Sequence, residues 1–283
     1  EADTSFLRIP LPKECRADDI IIENHYMDQE LWIFIPTAEE KFYADNAISG
    51  NREMVKQGSY EFAQDGCRLK FQLTDVYECR TILENQNLYI NFLFPREIYD
   101  KIVVIDPAYG GIYTGNTNGE LVEKEVTLRI AQKLKEKLDG SDVKAYYTRM
   151  DNENPSEESR VFLANKTKAD MYIRIELNVA DDSSIYGTET VYNGDYFIPG
   201  FGSVELADCL EREVVTSIKG KALGLVEATE NDYTIRQATV PAATVKVGYL
   251  SNKQEANLLS RDEYVDKIAT GIYNAIMQIY GEE

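Results

Sequence analysis

Hydrophobic and polar positions follow two different rules along this chain. From Phe6 to about Pro95, apolar residues come in short runs bounded by Asn, Asp, Gly or Pro, as in Leu31–Ile35 (LWIFI), Cys67–Leu73 (CRLKFQL) and Leu88–Phe94 (LYINFLF). Runs this short, rich in aromatic and β-branched residues, predict strands. Arg68, Lys70 and Gln72 alternate with Cys67, Leu69, Phe71 and Leu73, the pattern of a half-buried antiparallel strand. The expectation for residues 1–98 is a small all-β sandwich. Its aromatics, Tyr43, Tyr60, Phe62 and Tyr77 among them, are expected in the core and in cross-strand pairs more than as platforms for sugar rings. Pro95, Arg96 and Glu97 then read as a short hinge.

From Ile102 the rule changes. IVVID is a β-branched run that breaks into Pro107, Ala108, Tyr109 and two glycines, a buried strand ending in a loop where the backbone must approach something closely. Glu123–Leu138 places Val126, Ile130, Ala131, Leu134 and Leu138 on one helical face, and Gly140 is the expected stop. Val143–Thr148 is the next strand. Asn154, Pro155 and Glu157 read as N-cap, first-turn proline and capping-box acid of a helix running to about Lys168. Met171–Asn178 alternates strictly, with Tyr172, Arg174, Glu176 and Asn178 on one face. A strand at Thr188–Tyr192, a helix from Ser203 and a strand at Ala242–Leu250 follow. Capping boxes are expected at Asn252 with Glu255 and at Ser260 with Glu263, and a last helix carries Val265, Ile268, Ala269, Ile272, Ile276 and Ile279. Alternating strands and helices predict an α/β domain over 99–283, a mostly parallel twisted sheet flanked by helices.

Composition narrows what such a chain can do. Its 49 acidic residues against 30 Lys and Arg give a net charge of −19 over 283 residues. That balance repels nucleic acid and anionic membrane and favours neutral or cationic partners. No apolar run reaches the roughly 18 residues of a spanning helix. The chain opens on Glu1 instead of Met, which suggests that an export signal or membrane anchor is missing. Cys15, Cys67, Cys79 and Cys209 lack zinc spacing and are expected as free buried thiols, although Cys67 and Cys79 could face each other across a hairpin. The one histidine, His25, lies far from the Gly-rich loop, so a mechanism needing two histidines in one site is excluded within a single chain. On the Arg174 face of the predicted sheet, a charged pair at the end of a covered strand is either a site or an ion-pair network.

Five stretches in order carry a resemblance. IDPAYGG resembles IDPGHGG of the zinc-dependent N-acetylmuramoyl-L-alanine amidases of the amidase-3 type, and LVEKEVTL resembles the start of their Glu-containing helix. YTRMD resembles their LTRD; ESRVFLANKTKADMYIRIELN resembles the stretch ending in SIHAN; and VPAATVKVGYLSN resembles MPAVLVEVGFLSN. The resemblance implies a phosphorylase/hydrolase-like α/β fold and cleavage of the bond between the sugar strand and stem peptide of peptidoglycan. The first 98 residues are weakly similar to the AMIN-type domains that precede such amidases and bind cell wall.

The family holds zinc with two histidines and a glutamate and uses a second glutamate as base. Laid on this chain, those positions are Tyr109 and Glu176 for the histidines, Glu123 for the glutamate ligand and Lys246 for the base. Tyrosine is a poor ligand at an unperturbed pKa near 10, and an ammonium cannot take a proton from water. The resemblance therefore implies that zinc is lost and no cofactor remains, with weak calcium or magnesium binding through Glu123 and Glu176 left open. One expectation is that Lys246 pairs with Glu123 and Glu176 while Tyr109 closes the pocket by hydrogen bonding. The alternatives are that Arg174 is the partner of Glu176, that Glu123 is a helix-start carboxylate, and that Tyr109 fills space. Arg236, Asn178 and Arg174 are candidate substrate-binding residues. The functional expectation is a pseudo-amidase of the bacterial cell envelope, outside the cytoplasm, that binds peptidoglycan or a cell-wall protein; an active hydrolase using Glu176 or Glu123 as base, or a scaffold for protein contacts, are the other readings.

Overall fold

The computed structural model describes residues 6–63, 65–195 and 197–281; Glu1 lies outside them. The chain divides into two compact units, Glu1–Ile98 and Tyr99–Glu283. Among the described residues the first has seven strands and a short helix: β1 (Leu7–Pro10), β2 (Ile21–His25), β3 (Glu30–Ile35), α1 (Phe42–Asp45), β4 (Val55–Ala63), β5 (Gly66–Leu73), β6 (Glu78–Glu84) and β7 (Asn87–Leu93). They form two antiparallel sheets, ordered β1-β7-β6 and β2-β3-β5-β4. Inward residues of both, such as Ile9, Ile33, Leu69 and Ile90, share one buried core. The alternation in β5 is the cause: Leu69 and Phe71 are buried while Arg68 is exposed. Cys67 lies on β5 and Cys79 on β6, in different sheets, and all four cysteines are free.

The second unit holds β8 (Ile102–Pro107), β9 (Thr117–Asn118), β10 (Leu121–Val122), α2 (Glu123–Leu138), β11 (Lys144–Tyr147), α3 (Glu157–Thr167), β12 (Met171–Asn178), β13 (Thr188–Tyr192), α4 (Ser203–Ile218), β14 (Ala222–Glu227), α5 (Tyr233–Arg236), β15 (Ala242–Tyr249), α6 (Lys253–Leu259) and α7 (Asp262–Ile279). Its main sheet is ordered β11-β8-β12-β15-β13-β14. This sheet is mixed, not the mostly parallel one expected: β13 pairs antiparallel with β15, and β14 runs with β13. The reversal needs no helical crossover because the segment after β12 doubles back directly into β13. One sheet face, including Ile105, Ile173 and Val245, packs on α2, α4 and α7. Helices α3 and α5 contact β8 and β15 and each other.

Helix ends depart from the sequence reading in four places. Ser156, not Asn154, caps α3, accepting from the Ser159 N–H at 3.1 Å, and Lys168 closes it in the left-handed conformation. Asp139, not Gly140, is the C-cap of α2. Asn252 caps α6 as expected, but the Glu255 carboxylate accepts instead from the N–H groups of Tyr249 and Gly187. Arg261 stands at the N-cap of α7 with no side-chain bond, and Ser260 ends α6. No helix among the described residues is long and apolar enough to cross a membrane.

Candidate functional site

The loop after β8 is where the candidate residues meet. Tyr109 sits there at φ 64°, a left-handed conformation uncommon for a residue with a side chain. Two buried arginines hold it by its carbonyls. Arg160 Nη2 donates to the Tyr109 carbonyl at 3.0 Å, and Arg149 donates to those of Pro107 and Ala108 at 2.9 Å each. Each guanidinium thus satisfies loop carbonyls that burial would otherwise leave unpaired.

Beneath the loop lies Asp106, fully buried at the end of β8. It accepts from Arg160 Nη1 at 2.5 Å, Arg174 Nη1 at 2.8 Å, and the hydroxyls of Thr148 and Tyr172 at 2.6 Å each. Burial alone would raise this carboxyl; Arg160 and then Arg174 outweigh it and hold the group well below the usual carboxylate range. Arg174 continues outward, with Nε 2.6 Å from Glu176 Oε1 and Nη2 3.3 Å from Glu157 Oε1. The charged face of β12 is therefore an ion-pair network running from a buried aspartate to the rim.

Glu123 opens α2 and is fully buried. Its Oε2 accepts from the Asn116 N–H at 2.7 Å and side-chain amide at 2.8 Å; its Oε1 accepts from the Leu177 N–H at 2.6 Å. Burial pushes its carboxyl up to about 7, the neighbouring charge of Glu176 adding to that and the backbone bonds opposing it. A Cβ at Gly115 would lie 2.6 Å from the Tyr109 ring and 2.7 Å from Glu123 Oε2, so ring and carboxylate flank this glycine together. Burial raises the Tyr109 hydroxyl further above its ordinary value, and Glu176 and then Glu123 raise it more.

Tyr109, Glu123, Arg174 and Glu176 are thus brought into one neighbourhood. Lys246 is not paired with them. It stands beside Glu176 in the β12–β15 register and beside Glu189 in the β13–β15 register, yet makes no hydrogen bond or ion pair among the described residues. The expected Lys246 cluster fails because Arg174, two residues earlier on the same strand, already reaches Glu176, while amide donors occupy both Glu123 oxygens. Tyr109 Oη likewise makes no hydrogen bond among the described residues. Asn178 donates to Glu189 at 3.2 Å and to the Tyr249 hydroxyl at 3.0 Å. Arg236 lies on α5 and pairs with Asp195 at 2.7 Å, sharing no bond with the other candidates.

Sequence reasoning missed Asp106, Arg149 and Arg160 as site residues. The signal was present: a carboxylate ending an apolar strand has to find cations.

The pattern of the N-acetylmuramoyl-L-alanine amidase family (Amidase_3) matches residues 103–278, which span β8 to α7. The chain belongs to this family. A germination-specific amidase of Bacillus subtilis is 30% identical over 198 residues, covering 65% of this chain and 81% of the relative. Among solved structures, the amidase from Clostridium difficile 630 superposes with a TM-score of 0.59 at 29% identity, covering 65% of this chain and 98% of that one. The CwlD amidase of Clostridioides difficile, solved in complex with the GerS lipoprotein, gives 0.59 at 26%, covering 64% and 99%. The amidase family fold accounts for the second unit; the family match does not extend into residues 1–98.

Proposed function

We propose that this chain is a cell-envelope protein that keeps the amidase fold without zinc hydrolysis and serves as a peptidoglycan-binding or regulatory module. The observation that carries this reading is the engagement of Glu176, at the position of the second histidine, with Arg174, a guanidinium itself fixed by buried Asp106. Zinc needs three free donors and an open position. The residues present do not fit it: Glu176 is committed to a cation, both Glu123 oxygens accept amide hydrogens, and the Tyr109 hydroxyl is held in its protonated form. Lys246, at the base position, has no lone pair to offer while charged.

The relatives' names supply the setting. Several are named N-acetylmuramoyl-L-alanine amidases and one a probable cell wall amidase, which supports a peptidoglycan-related function and a place outside the cytoplasm. The CwlD–GerS complex is a precedent for a protein partner on this fold. The chain's strong negative charge repels nucleic acid at long range and so disfavours it as a partner. Residues 1–98 are read as the AMIN-like, wall-contacting unit and 99–283 as the amidase-like one.

Purified full-length chain tests this. We expect substoichiometric zinc, no release of stem peptides from sacculi, and sedimentation with sacculi; stoichiometric zinc together with amide cleavage overturns it. A second reading, a rebuilt hydrolase with Glu123 as base, draws on a carboxyl near 7, where a general base works best. The same assay separates the two, since that enzyme would cleave in the presence of a chelator. On the first reading, Tyr109→His, Glu176→His and Lys246→Glu together should recover zinc binding, measured by calorimetric titration. A folded triple variant that binds none would show that the residues around the groove have changed as well.

A further inference from the structure

We propose that the first unit carries a separate binding site for a small organic anion, an apolar or ring-bearing body with a carboxylate, in a cavity of about 400 Å³ along the inner side of β4. That volume falls within the range of small-molecule sites. The inner positions of an edge strand in a sandwich are ordinarily filled by apolar side chains, as on β5. On β4 they are not. Gly58 stands opposite Phe71 and Tyr60 opposite Leu69, both partners being buried, yet Gly58 and Tyr60 themselves are exposed.

Gly58 lets the Phe71 ring come close to the strand: a Cβ there would sit 3.1 Å from two atoms of that ring, tighter than ordinary contact, and with no side chain at 58 to cover it the ring lines the cavity as its floor. Tyr60, 47% exposed, stands beside it, and Leu7, Tyr43 and Ile48 supply the apolar wall. These surfaces suit a flat or branched apolar body.

The polar side of the cavity is cationic. Lys56 is the extra residue of a bulge, since Val55 pairs with Leu73 and Gln57 with Gln72, and bulges re-aim side chains. Arg52 lines the same cavity. Among the described residues neither makes a hydrogen bond or ion pair and no Asp or Glu lines the cavity, in a chain where acidic residues outnumber basic ones 49 to 30. Two unpaired cations beside an apolar floor select an anion carried on an apolar body.

The test uses the full chain and amide chemical-shift mapping with N-acetyl-phenylalanine, its uncharged amide, and the peptide acetyl-Ala-Ala-Ala-Phe with a free carboxylate. We expect the acid to shift amides of residues 55–60 and 71, and the amide to bind at least about tenfold more weakly. Arg52→Gln with Lys56→Gln, both at exposed positions, should remove that preference, and Gly58→Leu should abolish binding by filling the floor. Tighter binding of the tetrapeptide would identify a chain terminus as the source, and equal binding a free small molecule. No shift at these residues, or equal binding of acid and amide, overturns the proposal.

Discussion

Asp106 is the residue on which the site's electrostatics turn. It neutralises two arginines that are themselves almost fully buried. Asp106→Ala would leave Arg160 without a carboxylate and Arg174 with only Glu176 and Glu157 at its outer edge, and removal of one partner from a buried pair costs about 3–5 kcal/mol. Denaturant unfolding should show a loss of that order with native secondary structure retained; a loss below about 1 kcal/mol would mean that the arginines are satisfied by the loop carbonyls alone. Because the folded-state pKa of Asp106 is depressed, its contribution is present above the unfolded value near 4 and is lost only as pH falls through the folded value. Glu123 behaves in the opposite sense. Its carboxyl rises from 4.5 to about 7 on folding, so the folded state holds its proton more tightly. Its contribution is complete below about 4.5 and declines as pH rises through 7. Glu123→Gln cannot titrate. Its stability relative to the parent should therefore improve by up to about 3 kcal/mol between pH 4.5 and 8, and a pH-independent difference would refute the raised carboxyl.

Elements were legible wherever one periodicity ran unbroken. The Glu123–Leu138 helix appears with the bounds read from its apolar face, and the Met171–Asn178 strand with its alternation. Strand β14 (ALGLVE) escaped because its apolar run is short and broken by Gly224 at φ 101°. The reversed direction of β13 was also hidden, since side-chain patterning does not encode strand direction. The candidate site was legible as a set of positions on motifs but not as pairings: two residues on one strand face, Arg174 and Glu176, bond each other before a third strand can compete. Helix contacts supply a prediction at this scale. Gly271 of α7 lies against α4, where an added Cβ would sit 2.6 Å from the Val214 Cα and 2.9 Å from the Glu213 carbonyl oxygen. Gly271→Ala gains up to about 1 kcal/mol in helix propensity. Those backbone atoms cannot yield as a side chain could, and overpacking typically costs about 1–3 kcal/mol. Thermal unfolding should show net destabilisation; an unchanged or raised midpoint would mean that α4 and α7 slide apart freely.

At the scale of the whole molecule, the decisive fact is that the two units have separate cores. One is built from β1, β3, β5 and β7 side chains, the other from one face of the mixed sheet with α2, α4 and α7. A core closed within its own unit is the physical condition for folding alone. Residues 99–283 expressed by themselves should therefore show a far-UV spectrum with helix and strand content and a single cooperative unfolding transition. That fragment also separates the two sites: it should retain whatever sacculus binding belongs to the amidase-like groove, and it cannot bind N-acetyl-phenylalanine, because Lys56, Gly58 and Tyr60 are gone. The chain's charge of −19 adds a second readout on the full-length protein. Association with a cationic partner surface should weaken as salt rises from 50 to 300 mM, since the Debye length shrinks to well under 10 Å. Binding that instead holds constant over that range would place the contact in apolar or neutral hydrogen-bonded surface. A fragment that fails to fold would mean that the second core, despite its closure, draws stability from the first 98 residues.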